Sequence, residues 1–293
     1  MTYSIVARDP GTGELGVGVQ THQPSCAIVP WVRFGVGAVA TQSFANGDFG
    51  PQALALMANG LDGPRALAAV IAGDAMPQVR QLAVMDAAGG SAVHTGDRCI
   101  PFAGHHSGEN YTVQANMMLN ETVPAAMAAA FEGASGPLAL RILAALEAAE
   151  AQGGDIRGSQ SAVMRVQGAG NVNANMAWDL RIDNQPDALV PLRRLVQIRL
   201  AGLALEGKDG AEAARGDALA AAFARYERAH AIAPSDEQTF WFGVRGLAQA
   251  LGADARAAEV LTPLFARAPR WRELLLRLPM DDLEGLKGRF REG

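Results

Sequence analysis

Tyr3-Ser4-Ile5-Val6-Ala7-Arg8, then Asp9-Pro10-Gly11-Thr12-Gly13, then Leu15-Gly16-Val17-Gly18-Val19-Gln20 reads as a β-hairpin. An apolar strand meets a run of turn-forming residues and returns as a strand in which apolar and small side chains alternate. Thr2 enters this hairpin at once, so the chain starts inside a sheet. Residues 27–32 and 36–41 are further strand candidates, and glycine-rich strands imply that something packs closely on the backbone. Between Pro51 and Ile71 the apolar spacing turns helical and is broken at Gly60 and Gly63-Pro64, which predicts two short helices. Strands are expected again at 81–86, 91–95 and 111–114, Ala- and Leu-rich helices at 123–131 and 138–152, strands at 161–166 and 178–182, and a helix at 189–200. Blocks of strands alternating with blocks of helices suit an α+β fold with helices layered on antiparallel sheet, not the strict alternation of a doubly wound sheet.

The chain has 293 residues, 49% of them hydrophobic and 19% charged, which is enough to bury a large core. Its net charge of −5 provides no basic surplus for binding nucleic acid through phosphate neutralisation, nor a polybasic membrane address. No run approaches the roughly 20 apolar residues that span a bilayer, and Arg8 and Asp9-Pro10 come too early for a signal-peptide core. Cys26 and Cys99 stand far apart, outside any CxxC pair, so a reducing, cytoplasmic setting is the expectation. Residues 202–217 change to Gly, Ala, Glu and Lys, which predicts a boundary between a domain at 1–205 and a small helical domain at 216–293. In the second, Ala231-Ile232-Ala233-Pro234 and Ala266-Arg267-Ala268-Pro269 hint at a tetratricopeptide-like period of ~34 residues. A simple helical bundle around Phe223, Tyr226, Phe240-Trp241-Phe242, Leu247, Leu264-Phe265 and Trp271 is the plainer reading.

Several residue groups carry chemistry. Removal of Met1 would leave Thr2 with a hydroxyl nucleophile and a free α-amine whose ordinary pKa, near 7.7–8.0, suits it to take the hydroxyl proton. An ordinary strand start is the competing reading. His94, Cys99, His105 and His106 offer zinc-type ligands, although their spacing matches no standard structural site; a buried small Cys99 and histidines lining a loop or cleft are the plainer reading. His22 is open between a structural and a binding role. The loop Gly153-Gly154-Asp155-Ile156-Arg157-Gly158-Ser159-Gln160-Ser161 combines close-approach glycines with both charge signs, with Asp155, Arg157 and Gln160 as binding candidates and an internal Asp155–Arg157 pair as the alternative. Thr41-Gln42-Ser43-Phe44-Ala45-Asn46-Gly47-Asp48 sets amides beside a helix start, where Asn46 or Asp48 also serves as a cap. Gln114 and Asn116 share one face of a strand.

Five blocks in order, Met1 to Asp9, Gly35 to Gln42, Thr95 to Pro101, Tyr111 to Met117 and Gly153 to Ala162, resemble the signature blocks of an uncharacterised bacterial domain family numbered 1028. The resemblance implies a four-layer αββα sandwich of N-terminal-nucleophile hydrolase type, followed here by a small all-α domain. It places Thr2 at the nucleophile position and offers Arg33 as the cationic partner that other superfamily members supply as lysine. Gln185 in Asp183-Asn184-Gln185-Pro186 departs from the family's commoner Asp-Asp-His-Pro. The segment from Trp271 to Pro279 is similar to a small domain associated with peptidoglycan binding. Taken together, the expectation is an amide-bond hydrolase of small acylated or peptide-like substrates, with Thr2, Arg33, Gln42 and Asn46 catalytic and His22, Gln114, Asn116, Asp155, Arg157 and Gln160 binding. No cofactor or metal is called for, and a homodimer is expected by analogy. The alternatives are a ligand-binding protein that keeps the fold without the chemistry, and a metal-dependent hydrolase using the His94 to His106 region.

Overall fold

Strand periodicity organises the first unit. The computed structural model describes residues 2–169, 178–208 and 217–291; Met1 and residues 209–216 of the expected linker lie outside the described residues. Strands β1 (Thr2–Arg8) and β2 (Leu15–Thr21) form the hairpin read from sequence, with Thr2 opposite Thr21 and Arg8 opposite Leu15. With β7 (Gly104–Gly108), β8 (Tyr111–Asn116), β9 (Ser161–Gln167) and β10 (Trp178–Ile182) they make a six-stranded antiparallel sheet in the order β10-β9-β2-β1-β8-β7. A four-stranded antiparallel sheet follows the order β3-β4-β5-β6, from Pro30–Arg33, Gly37–Ser43, Arg80–Asp86 and Ser91–Thr95.

The two sheets face each other across an apolar cluster that includes Val6, Leu15, Val17, Val19, Ala38, Ala40, Ala83, Met85 and Val163. These are alternate residues of their strands, as a pleated sheet with one inward face requires. The outer face of the four-stranded sheet, with Val39, Leu82 and Val84, is covered by α1 (Phe49–Ala58) and α2 (Gly63–Ala72) through Phe49, Leu54, Leu67 and Val70. On the six-stranded sheet, α3 (Val123–Gly133) lies over β7 and β8, and α4 (Leu138–Ala151) over β1 and β2. A Cβ at Gly16 or Gly18 would stand 2.5 Å from Ile142, so the glycines of β2 are what let α4 lie flat on the sheet.

Two strands differ from the sequence reading. Gly104–Gly108, whose glycines and adjacent histidines have weak strand propensity, is nonetheless an edge strand held by β8 alone. The strand expected at 27–32 is confined to Pro30–Arg33, because residues 24–29 form the connection from β2.

Helix α5 (Leu189–Leu205) runs across the division between two compact units, residues 1–196 and 197–293. The second unit holds α6 (Ala218–Ile232), α7 (Asp236–Trp241), a π-helical stretch at Phe242–Gln249, α8 (Asp254–Arg267), α9 (Arg270–Arg277) and α10 (Glu284–Arg291). Its buried core contains Phe240, Phe242, Leu247, Leu264 and Phe265, while Phe223, Tyr226, Trp241 and Trp271 pack against it from partly exposed positions. Tyr226 stacks on Phe242 with ring centroids 4.4 Å apart. Among the described residues, no helix is long and apolar enough to cross a membrane.

Candidate functional site

The space between the sheets changes character along its length. At one end the inward positions of β1, β2, β4 and β5 form the apolar cluster of Val6, Leu15, Val17, Ala38 and Met85, flanked by Thr112 and Arg165 on the neighbouring strands. At the other, where β1 begins, the same alternation brings in Thr2, Ser4, Gln42, Gln81, Gln114 and Asn116, all buried. Carboxamides in such a place must pair with one another or forfeit on the order of 1–3 kcal/mol apiece, and here they interlock. Ser4 donates from Oγ to Gln42 Oε1 at 2.6 Å and accepts from Gln114 Nε2. Gln42 Nε2 donates to Gln81 Oε1 at 2.6 Å and to the carbonyl of Thr2 at 3.2 Å. Asn116 Nδ2 donates to Gln81 Oε1 at 2.9 Å and to the same Thr2 carbonyl at 3.3 Å. Gln81 Nε2 closes the web on Thr95 Oγ1 at 2.9 Å and on the carbonyls of Gly104 and Ala115.

Thr2 sits at the mouth of this seam, 5% exposed, with its Oγ1 donating to Thr21 Oγ1 at 2.9 Å. One amide from each sheet grips its carbonyl, so the backbone of residue 2 is fixed before any ligand arrives. Asn116, opposite Thr2 on β8 and fully buried, keeps its Oδ1 without a hydrogen-bond partner. An orphaned carbonyl beside the chain start is an acceptor waiting for a donor. Backbone strain gathers at the same end. Ser43 and Met117, each immediately after a seam residue, and Phe102 all hold positive φ, at 68°, 56° and 55°. Non-glycine residues pay of order 1–3 kcal/mol for that conformation, and such positions cluster at functional sites.

Thr2, Gln42, Gln114 and Asn116 are therefore brought together. A neighbouring cluster rims Thr21. Buried Asp155 accepts from Arg157 Nη2 at 2.8 Å, from the Arg157 amide at 2.9 Å and from the His22 amide at 3.3 Å, while His22 Nδ1 lies 3.2 Å from the Gly158 carbonyl. Gln160 donates its amide to the Thr21 carbonyl at 3.1 Å and its Nε2 to Asn184 Oδ1 at 2.9 Å. The internal Asp155–Arg157 pair is present, and the loop it stiffens reaches the partner strand of Thr2.

Arg33 and Asn46 belong elsewhere. Arg33 is exposed and pairs with Gly37, at the far end of β4 from Gln42. At ~3.3 Å per residue that separates it from the seam by roughly 16 Å, too far to act on Thr2. Asn46 Oδ1 accepts from the Asp48 amide at 3.0 Å and so shapes the turn into α1. It lines a pocket of about 510 Å³ between α1 and α2, on the outer side of the four-stranded sheet, together with Phe49, Gln52 and Asp74.

The metal alternative finds no centre, since no group of three His, Cys, Asp or Glu residues able to hold an ion occurs among the described residues. The strands explain why. His105 lies opposite Gln114 and meets Thr95 Oγ1 at 2.9 Å, whereas its neighbour His106 points the other way and stacks on Tyr111. His94, opposite Leu82, is 2.7 Å from the Pro77 carbonyl, and Cys99 Sγ donates to the Arg80 carbonyl. Burial, then the charges of His94 and His106, hold the His105 imidazole below its ordinary pKa. The Cys26 thiol is pushed up to about 11, chiefly by burial, and is not a nucleophile at neutral pH.

Sequence reasoning passed over Ser4, Thr21 and Gln81. Their signal was the strand period itself: a polar side chain two residues from Thr2, or at the head of an otherwise apolar strand, on the inward face.

The profile of a family of unknown function, DUF1028, matches residues 2–192, which covers β1 through the start of α5 and so every residue of the seam. The chain belongs to this family. A crystal structure of another DUF1028 protein, SPO2555 from Silicibacter pomeroyi, is similar at 30% sequence identity and a TM-score of 0.61, over 67% of this chain and 84% of that one. No curated protein matches the chain.

Proposed function

We propose that this DUF1028 protein is an amide-bond hydrolase of the N-terminal-nucleophile type, with its first unit an αββα sandwich and Thr2 as nucleophile once Met1 is removed. The observation that carries this reading is the fixation of Thr2: its carbonyl held from both sheets, its hydroxyl on Thr21, and an unpartnered Asn116 Oδ1 beside it. The Thr2 α-amine, freed by removal of Met1, takes the hydroxyl proton as Oγ1 attacks the substrate carbonyl. A C–O bond forms, the C–N bond breaks, and the proton passes from the α-ammonium to the departing amine. Water then attacks the acyl-Thr2 ester, giving a carboxylic acid and restoring the hydroxyl.

Thr2→Ala tests the reading against a panel of acylated amines. It is expected to lower turnover by about a thousandfold or more, while Thr2→Ser retains measurable activity. Equal rates in Thr2→Ala and wild type would remove Thr2 from the reaction. A second reading, ligand binding without turnover, is favoured by one observation: the partners of Thr2 in the seam are hydroxyls and carboxamides, none of them a charged group. Binding by wild type and Thr2→Ala alike, with no hydrolysis by either, would establish it.

A further inference from the structure

Past the buried polar seam, the connections that continue its strands form an apolar rim. The connections at the Thr2 end carry Ile28, Phe44, Met76, Phe102, Leu119 and Ile156, each between 48% and 71% exposed. Among the described residues, the turns at the opposite end of the first unit carry a single exposed large apolar side chain, Phe34. Such side chains scattered singly over a surface need no explanation, but their concentration on one end does.

Three of them sit on adjoining segments just beyond Asn116. Met118 donates its amide to the Phe102 carbonyl, Leu119 to the Gly154 carbonyl at 2.9 Å, and Ile156 to the Met117 carbonyl at 3.2 Å. Segments 100–102, 117–119 and 154–156 therefore run side by side as an extension of the six-stranded sheet, and the Met118–Asp155 bridge confirms the pairing. From the four-stranded sheet Phe44 adds a fourth, its amide bonded to the Val79 carbonyl at 3.3 Å. These backbones are held by hydrogen bonds, so the apolar tips are presented at fixed positions, not left on slack loops.

A hydroxyl and amide floor with an apolar rim is complementary to an amphiphile: a polar amide head attached to a hydrocarbon group. The geometry points to a substrate whose acyl group is apolar, an aliphatic or aromatic N-acyl compound, with Phe102, Leu119, Ile156 and Phe44 as the residues that select it. This rests on the Thr2 end being the active end, but not on the covalent chemistry there. Each methylene buried against such a rim strengthens binding by up to about fourfold.

The test is calorimetric titration of the full chain with N-acylglycines from acetyl to decanoyl, in wild type and Thr2→Ala. The expected result is a Kd that falls about twofold to fourfold per added methylene in both proteins. Leu119→Ser and Ile156→Ser, at exposed positions that leave the fold intact, are expected to flatten that series, and Phe34→Ser at the opposite end to leave it unchanged. A Kd independent of chain length, or no binding of any member, overturns the proposal. So does sedimentation showing that Leu119→Ser converts a dimer to a monomer while the acyl series stays flat, since a second copy would then be what covers the rim. Chain-length-dependent binding without hydrolysis keeps this inference and overturns the hydrolase reading; hydrolysis without chain-length dependence does the reverse.

Discussion

The two ends of the first unit's paired sheets are built from the same strands by opposite rules. At the Arg8 end the interior is centred on an apolar cluster with Val6, Leu15, Val17 and Met85 packed together, and the hairpin connections at 9–14 and 87–90 are short polar turns. Asp9 Oδ1 caps its own turn on the amides of Gly11 and Thr12, both at 2.9 Å, and Asp86 does likewise for Ala88 and Gly90. At the Thr2 end the interior is a hydroxyl and carboxamide web, and the connections are longer and tipped with exposed apolar residues. One end is organised as folding alone demands, inside apolar and outside polar. The inversion at the other end costs desolvation and exposes apolar surface, and on it rests the proposal that this end meets the ligand.

The sharpest way to break this comparison is to exchange the rules along one strand, since Gln81 and Met85 occupy the same inward face of β5. Gln81→Leu strands the donors of Gln42 and Asn116, and Met85→Gln places an unpaired carboxamide among Val6 and Ala38. Each is expected to cost about 2–4 kcal/mol in urea denaturation at pH 7. If Gln81→Leu proved neutral, the web would not be holding the Thr2 end.

Next in size is the anchor of the Phe44 loop. Arg80 pairs with Asp74 at 2.7 Å and also donates to the Phe44 carbonyl. The hydrogen bond from Arg80, ahead of its charge, holds the Asp74 carboxyl below its ordinary pKa. That contribution is present above the unfolded value of ~3.9 and is lost as the pH falls through the folded value. Asp74→Asn is expected to cost about 1–2 kcal/mol at pH 7 and progressively less as acid protonates the wild-type group. A penalty that stayed constant down to pH 3 would mean the pair contributes nothing.

A smaller effect, of opposite sign, is expected at a buried glutamine outside the web. Gln20 lies on the outward face of β2 opposite Tyr3, fully buried, with neither carboxamide atom hydrogen-bonded. Gln20→Leu is expected to be neutral or to stabilise by up to about 1 kcal/mol, because it removes an unsatisfied group. A loss comparable to that of Gln81→Leu would show that Gln20 has a partner. The smallest effect is chemical: Cys26, with its thiol raised to about 11, is expected to resist iodoacetamide at pH 8 in the folded chain and to react on denaturation. Rapid labelling of the native protein would contradict its burial.

Much of this was legible beforehand. The opening hairpin, the helix pairs and the shared strand face of Gln114 and Asn116 follow from period and turn chemistry, which are local. What failed was non-local or depended on which end of a strand a residue occupies. The turn at 34–36 makes Arg33 the neighbour of Gly37 and not of Gln42, so the residue that the resemblance offered as cationic partner stands at the other end of the strand from the seam. Gln81 was hidden because it meets Gln42 and Asn116 only after two sheets face each other. The histidines at 94, 105 and 106 looked like a cluster in sequence, yet strand alternation turns His105 and His106 to opposite faces.

The intact mass of the purified, untagged chain tests the central claim most directly. The account predicts a mass lower than the full sequence by one methionine, leaving the Thr2 α-amine free. A mass that retains Met1 would block that amine and contradict the assignment of Thr2 as an N-terminal nucleophile.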